Sequence, residues 1–485
     1  MVTSLAFRAG ARVVAEGIAR LSMFGFFLVM ARVLGPQEIG YYAAVFSFLA
    51  IFMVISDLGL NLTSLREISR NPANLSAVLR VVVPLRIGLT ALFVIMGYLA
   101  TRLWTWTPAE EILIPAIIGF LAIGSLADGL FHLFQSFDWQ LEESVLKIAQ
   151  RTGTAAAGIS ILLITGSLAQ AVWAGVLVQT ILLLVGIGWF FVKIRKYRHL
   201  LEGLPDFQFA VMVRMALPLG LSAFLTLIYL RIDMVMMKAA GISADLIGQY
   251  QAVARIHDFS HTMSVLAFST LVPSLNRWYA GQDERFGDWL NRSLRLLVVF
   301  ASLIPSILFF MADSTFSGLF GEDFRQSGPM AQVLLWGLIP MAVNLVLLHR
   351  LLIEGTTLAS LFATACSVII NVTGNYLLIP VYGVTGAAFS TLLSESGLMI
   401  VLLLLVNKQM KSAWKTDWVP SWLLLILFVM GCGYVLSDFP WMLNLILLPV
   451  LALLAARLLS LVTDEDWSAM KTTRSAVFQN PPADP

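Results

Sequence analysis

Charge is scarce in this sequence. Asp, Glu, Lys and Arg make up only 12% of its 485 residues, where a soluble domain carries about 25%. That scarcity excludes an ordinary water-soluble globule. With 59% hydrophobic residues and a mean hydropathy of +0.85, one core could not hide the apolar surface from water. Cysteine is scarcer still. Cys366 and Cys432 both sit in apolar runs, so inert thiols are expected and a disulfide framework is not. No His/Cys spacing suited to a metal is present and no Walker A sequence occurs, so neither a bound cofactor nor ATP hydrolysis is expected. Long polar stretches are missing too. The longest loops, near 193–211 and 313–328, are too short for a folded catalytic domain. No cleavable leader is expected either. The first apolar stretch is interrupted by Glu16 and Arg20 and runs on to about Val33, as a retained helix would.

What is present is a series of apolar runs long enough to cross a bilayer, which takes about 20 residues at 1.5 Å per residue. They predict an all-α polytopic membrane protein with helices near 9–33, 39–63, 80–102, 112–134, 145–165, 169–192, 212–240, 247–272, 291–312, 329–353, 358–379, 384–406, 419–437 and 440–462. With a cytoplasmic N-terminus, only Arg32, Arg102, Lys238 and Arg325 fall outside. Arg20, Arg231 and Arg255 fall within spans, and the rest of the 31 basic residues lie inside or at inner helix ends. This positive-inside bias predicts an even helix count with both termini cytoplasmic. Tryptophans such as Trp104, Trp106, Trp418 and Trp441 fall near span ends, as interfacial belts do.

The sequence repeats itself. Ile39-Gly-Tyr-Tyr-Ala-Ala-Val45 returns as Ile247-Gly-Gln-Tyr-Gln-Ala-Val253, identical at five of seven positions. Both copies open the second helix of a six-helix set, so the sets should be related by an axis along the membrane normal. The expected organisation is two pseudo-symmetric six-helix lobes, 1–205 and 206–410, an added helix pair over 411–463, and a cytoplasmic tail over 464–485.

These residues carry a resemblance. Ala31-Arg-Val-Leu-Gly-Pro-Gln-Glu-Ile-Gly-Tyr-Tyr42, with Asp57-Leu-Gly-Leu60 and Arg66, resembles the opening of Wzx-type polysaccharide flippases. These belong to the multidrug/oligosaccharidyl-lipid/polysaccharide exporter superfamily. Ile232-Asp-Met-Val235, Ile247-Gly-Gln-Tyr250 and Val272-Pro-Ser274 are similar to the family's seventh and eighth helices. Leu378-Ile-Pro-Val-Tyr-Gly-Val-Thr-Gly-Ala-Ala-Phe-Ser390 and Leu461-Val-Thr-Asp-Glu-Asp466 also fit. The resemblance implies a non-enzymatic transporter of the inner membrane. It would invert a polyprenyl-diphosphate-linked oligosaccharide, an O-antigen, capsule or exopolysaccharide unit, from the inner to the outer leaflet. Membrane lipids, a glycan polymerase and chain-length proteins would be its partners; nucleic acid would not.

Charges at membrane depth are costly, so each needs a partner, a cavity or a function. Arg8, Arg12, Glu16 and Arg20 follow one another at i+4 on one helix face. They form either a cationic wall for a diphosphate or a set of snorkelling side chains with a Glu16–Arg20 clasp. Arg255, His257, Asp258 and His261 cluster at i+3 and i+4 spacings on the eighth helix. Arg255 is expected to bind phosphate, and Asp258 and His261 to carry a proton; the alternative is a self-satisfied packing network. Arg231 and Asp233 point to different faces of the seventh helix, and Asp233 matches the family's aspartate. Asp128 and His132 form an i+4 pair. Asp57 could cap or hinge its helix end. Arg66 and Arg86 form an inner mouth for the anionic lipid or follow the positive-inside rule. Asn371 and Asn375 are expected to bond across helices, and Glu395 has no evident partner.

The expected mechanism is alternating access, with Arg66 and Arg86 attracting the headgroup and Arg20, Arg255 and Arg231 holding it. Coupling to H+ or Na+ through Asp258, His261, Asp233, Asp128, Asp57 or Glu16 is one expectation, and membrane potential another. The rival readings are a cation-coupled multidrug exporter of the same superfamily and a membrane-embedded glycan polymerase or ligase. The lipid II flippases' N-terminal Gly-Phe-Xaa-Arg-Asp stretch is not found.

Overall fold

Hydrocarbon offers a backbone no hydrogen bonds, so a chain of this composition must pair its peptide groups within its own segments. The computed structural model describes residues 5–70, 75–195, 209–407, 415–437 and 439–466, and these form helices and turns with no strand among them. The N-terminal helices are α1 (Leu5–Met53), α2 (Leu60–Arg70), α3 (Val83–Arg102), α4 (Pro108–Ser136), α5 (Gln140–Thr165), α6 (Leu168–Ile194), α7 (Phe209–Ala239) and α8 (Ala244–Ser269). Then come α9 (Val272–Ala280), α10 (Arg285–Leu308), α11 (Ala312–Phe320), α12 (Gly328–Leu334), α13 (Leu338–Ile353), α14 (Thr357–Tyr382), α15 (Val384–Asn407), α16 (Val419–Val435) and α17 (Trp441–Leu458). The side chains of Arg8 and Arg12, the boundaries at 205/206 and 410/411, and the tail beyond Asp466 lie outside the described residues.

Ten helices among the described residues are long and apolar enough to cross a membrane. The first, Ala15–Ser56, comprises two spans: Gly35 turns to φ 76° and Pro36 follows it, which breaks α1 between the two expected segments. Adding the shorter α16 and the more polar α5 and α8 accounts for all fourteen expected spans. The chain is a multi-pass membrane protein.

The second span ends earlier than the apolar run suggests. After Met53 come a 3-10 turn over Val54–Ser56 and then Leu58 and Gly59 at φ 43° and 84°, before α2 starts. α2 is therefore a separate helix, and it carries Arg66 exposed.

The chain forms two compact units, Met1–Lys238 with Ser243–Gly248, and Ala239–Ile242 with Gln249–Pro485. In the first unit, Ile68, Leu75, Val78, Phe134, Leu146 and Phe190 belong to one buried cluster. α7 is tied to this unit by a buried ion pair. Lys238 donates to both carboxylate oxygens of Glu110, at 2.7 and 2.6 Å. The same carboxylate closes a capping box with Thr107 at the start of α4. Close backbone approach supplies further contacts. A Cβ on Gly220 of α7 would lie 2.8 Å from the Leu58 carbonyl.

The starts of the two sequence repeats, Pro36–Gly40 and Ala244–Gly248, meet inside this unit. A Cβ on Gly40 would lie 1.7 Å from the Ala244 carbonyl oxygen, and one on Gly248 would lie 1.8 Å from that of Pro36. These glycines occupy the same position in the two copies, and only hydrogen at Cα allows backbones so close.

In the second unit, α14 and α15 form a hairpin turning at Gly383, φ 59°. A Cβ on Gly386 would lie 2.3 Å from the Leu378 carbonyl oxygen, so this glycine too is needed for close packing. Past α17, Asp466 is fully buried. It accepts from Arg295 at 2.7 Å, lies 3.0 Å from Arg292, and caps the turn that begins at Thr463. This pins the last helix pair to α10.

The buried ion pair and the close glycine contact can each be tested by substitution. Lys238→Met leaves Glu110 buried without its cation and should cost about 3–5 kcal/mol. Scanning fluorimetry in detergent should give a much lower Tm for it than for the Lys238→Met/Glu110→Gln double variant. Gly40→Val should abolish the Pro36–Gly40/Ala244–Gly248 approach and lower Tm sharply, whereas Gly188→Val, at a glycine with open space around it, should not.

Candidate functional site

The first unit holds its deepest charge where the chain is least regular. Arg86, one helical turn into α3, is buried, and its guanidinium is turned toward the break after the second span. Nη1 donates to Asp57 Oδ1 at 2.7 Å and to Asn61 Oδ1 at 2.6 Å. Nη2 donates to the Ser125 carbonyl and, at 3.2 Å, to its hydroxyl. Asp57 also caps α2 by accepting from the Asn61 N–H at 3.1 Å. Gly129 makes room for the group, because a Cβ there would lie 2.5 Å from Arg86 Nε. The sequence leaves Arg86 either at an inner mouth for the anionic lipid or placed by the positive-inside rule; the structure buries it. Lipid does not solvate a guanidinium, so the side chain turns inward to a carboxylate and two neutral acceptors. Of the two expected roles, cap or hinge, the Asn61 contact shows the cap.

Asp128 and His132 do not pair through their side chains. His132 Nδ1 lies 2.8 Å from the Asp128 carbonyl oxygen. The Asp128 carboxylate sits in the field of Arg151, Arg86 and Lys147. Glu16 settles on Arg20, which donates from Nε at 3.0 Å along the same helix. Arg20 remains half exposed. The contact joins two positions of one helix. Arg231, partly buried, stacks its guanidinium 5.4 Å from the Phe46 ring. Asp233, two residues on, is buried.

In the second unit, α8 carries Arg255, His257, Asp258 and His261 as the spacing predicts, but their burial differs. His257 is buried, with Nε2 beside Gly337 and Nδ1 3.8 Å from Asp258 Oδ1. The Asp258 side chain is 44% exposed. Arg255 and His261 are partly buried. Glu395 of α15 gains a partner that its sequence neighbourhood does not reveal: Asn344 of α13 donates to its carboxylate at 2.7 Å and to its carbonyl at 3.0 Å. Asn371 and Asn375 bond to each other along α14 at 3.1 Å, and the bond across helices comes from the Ser390 hydroxyl to the Asn371 carbonyl.

Sequence reading missed Ser125 and Asn344. Each is an uncharged polar residue within a largely apolar span, a pattern that marks a helix contact without naming the partner. Among the described residues, no cluster of His, Cys, Asp and Glu could hold a metal ion. The two units thus each contain a buried polar set, with further cations and carboxylates of α1, α7 and α8 only partly buried.

The fold has solved counterparts. The lipid II flippase MurJ in an inward closed conformation aligns with a TM-score of 0.71 at 13% identity, covering 92% of this chain and 98% of that one. An inward-facing multidrug resistance transporter of the MATE family aligns with a TM-score of 0.63 at 13% identity, covering 84% and 95%. A transporter of the same superfamily from Pyrococcus furiosus gives 0.60 at 13% identity, covering 84% and 96%. At these identities the likeness establishes the fold. No curated protein sequence matches the chain. The model of the family described as polysaccharide biosynthesis protein matches residues 9–278. That match spans more than half of the sequence and both copies of its repeat, and the chain belongs to this polysaccharide biosynthesis family.

Proposed function

We propose that this protein is a flippase for a polyprenyl-diphosphate-linked oligosaccharide, an O-antigen, capsule or exopolysaccharide unit, carried from the inner to the outer leaflet by alternating access. The family match over residues 9–278 carries this reading. The chemistry of the spans supports it. Arg20, Arg231 and Arg255 lie within helices of a membrane protein and keep part of their surface open. A guanidinium suits a diphosphate because it stays charged and bonds two oxygens at once. In this mechanism Arg66 attracts the headgroup at the inner face and Arg20, Arg231 and Arg255 hold it, while the polyprenyl tail stays in lipid. Arg86 does not touch substrate. It is a positioning residue that fixes the break at Asp57–Gly59. Asp258 and His261 are the proton-coupling candidates, and the termini are cytoplasmic.

A second reading, cation-coupled drug export, draws on the likeness to the multidrug transporter. It requires acidic groups to prevail in the binding region, whereas α1, α7 and α8 each place an arginine within a span: Arg20, Arg231 and Arg255.

Proteoliposomes loaded with a fluorescent polyprenyl-diphosphate oligosaccharide test the proposal. Arg20→Ala and Arg255→Ala should each slow flipping by about tenfold, the effect of losing about 1.4 kcal/mol of charge-assisted bonding. Full rates in both would overturn the cationic binding role, and transport of an organic cation in place of the glycolipid would favour drug export. For the positioning role, Arg86→Met should lower Tm, and Asp57→Asn added to it should restore part of the loss.

A further inference from the structure

α2, α3, α4, α6 and the turn before α3 enclose a cavity of about 220 Å³. Its wall is almost wholly carbon, supplied by Leu60, Val82, Leu130, Leu183, Ile187 and Phe191 among others. Water would find partners only along the polar edge at Arg86, Asn61, Ser64 and His132; the rest resembles an apolar cavity of about 150 Å³, which stays dry yet takes up benzene. The cavity opens between two helices that face lipid. At its mouth Ile87 is 56% exposed and Phe191 is 55% exposed. Ile87 continues an apolar exposed stripe through Ile95 and Leu99 on α3, and Phe191 continues one through Ile181 and Leu184 on α6. Hydrocarbon is what such faces meet in a bilayer.

The segment forming one wall, Val78–Val82, is a π-helical turn. Such turns are rare and occur often where a helix is shaped for a ligand. Charge is placed for a lipid headgroup as well. Arg80 on the π turn and Arg66 on α2 are both exposed, and these two segments supply Leu79 and Ser64 to the cavity.

We propose that this cavity is a binding site for one acyl chain of a bilayer phospholipid, with the lipid's phosphate at Arg66 and Arg80. An acyl chain is favoured over a polyprenyl tail by mass action. Phospholipid is the solvent of these helices, and a trace isoprenoid would need a far higher affinity to fill the same space. Arg86 forms the polar floor of the cavity, so an occupied site buttresses the turn that carries the Asp57–Arg86 contact. This inference does not depend on which solute the protein transports.

The test uses full-length protein in liposomes containing a phosphatidylglycerol with a diazirine on its acyl chain, followed by photolysis and peptide mapping. Labelling is expected to concentrate at Val78–Ile87 and Leu183–Phe191, above the level on the exposed face of α17. Ile187→Trp, which fills the cavity, should reduce labelling there by about tenfold and leave α17 unchanged. Leu79→Phe serves as a second filling variant from another wall. Arg66→Gln/Arg80→Gln should reduce labelling by the anionic lipid more than by a phosphatidylcholine analogue. Labelling in the wild type that is no higher than on α17 overturns the site, even where neither filling variant folds. Labelling that survives filling does the same. Displacement of the label by polyprenyl diphosphate at about one per hundred lipids assigns the cavity to the isoprenoid and overturns the acyl-chain proposal.

Discussion

The constraint on which this structure depends is that hydrocarbon solvates neither a peptide group nor a charge. Helices answer the first part, and Arg86 answers the second. Its two Nη groups donate to Asp57, Asn61 and Ser125, which come from three segments of the first unit. Those bonds hold together a place where the helical ladder is interrupted, at Leu58 and Gly59. Interrupted backbone at membrane depth survives only where protein groups re-satisfy it. The buried cation and the broken helix therefore sustain each other.

A second consequence of the same solvent is the part played by glycine. Lipid tails are as apolar as leucine, so helices gain nothing by hiding leucine from them and must instead pack closely. Gly40 and Gly248 allow one backbone to approach another, Gly220 lets α7 lie against Leu58, and Gly386 does the same within the α14–α15 hairpin. Each contact is backbone to backbone. Such contacts have few soft side chains to deform, so they act as fixed stops between packed helices.

Polar groups that remain after this packing divide into two kinds. Arg86, Glu110, Asn344, Glu395 and Asp466 are buried and bonded, Asp57 and Lys238 bond to them from partly buried positions, and all serve the fold. Arg20, Arg231, Arg255 and Asp258 keep part of their surface open. The proposed flipping needs both kinds. The first gives rigid bodies, and the second gives groups whose bonding can change as a solute arrives.

The sequence by itself determined the class of protein, because composition and the length of apolar runs report directly on the solvent of each segment. Fourteen spans, the break near Gly35-Pro36 and the repeat at Gly40 and Gly248 are all local or periodic features. Only the tertiary structure decided which charges are spent on the fold. Arg66 and Arg86 look alike in sequence, each a basic residue near a span end. Yet one is exposed and the other is buried against Asp57, Asn61 and Ser125. Glu395 and Asn344 lie 51 positions apart, and Glu110 and Lys238 lie 128 apart. Helical periodicity specifies the face on which a residue lies. It carries no information on which other face comes to meet it, and that meeting decides whether a charge is a clasp or a site.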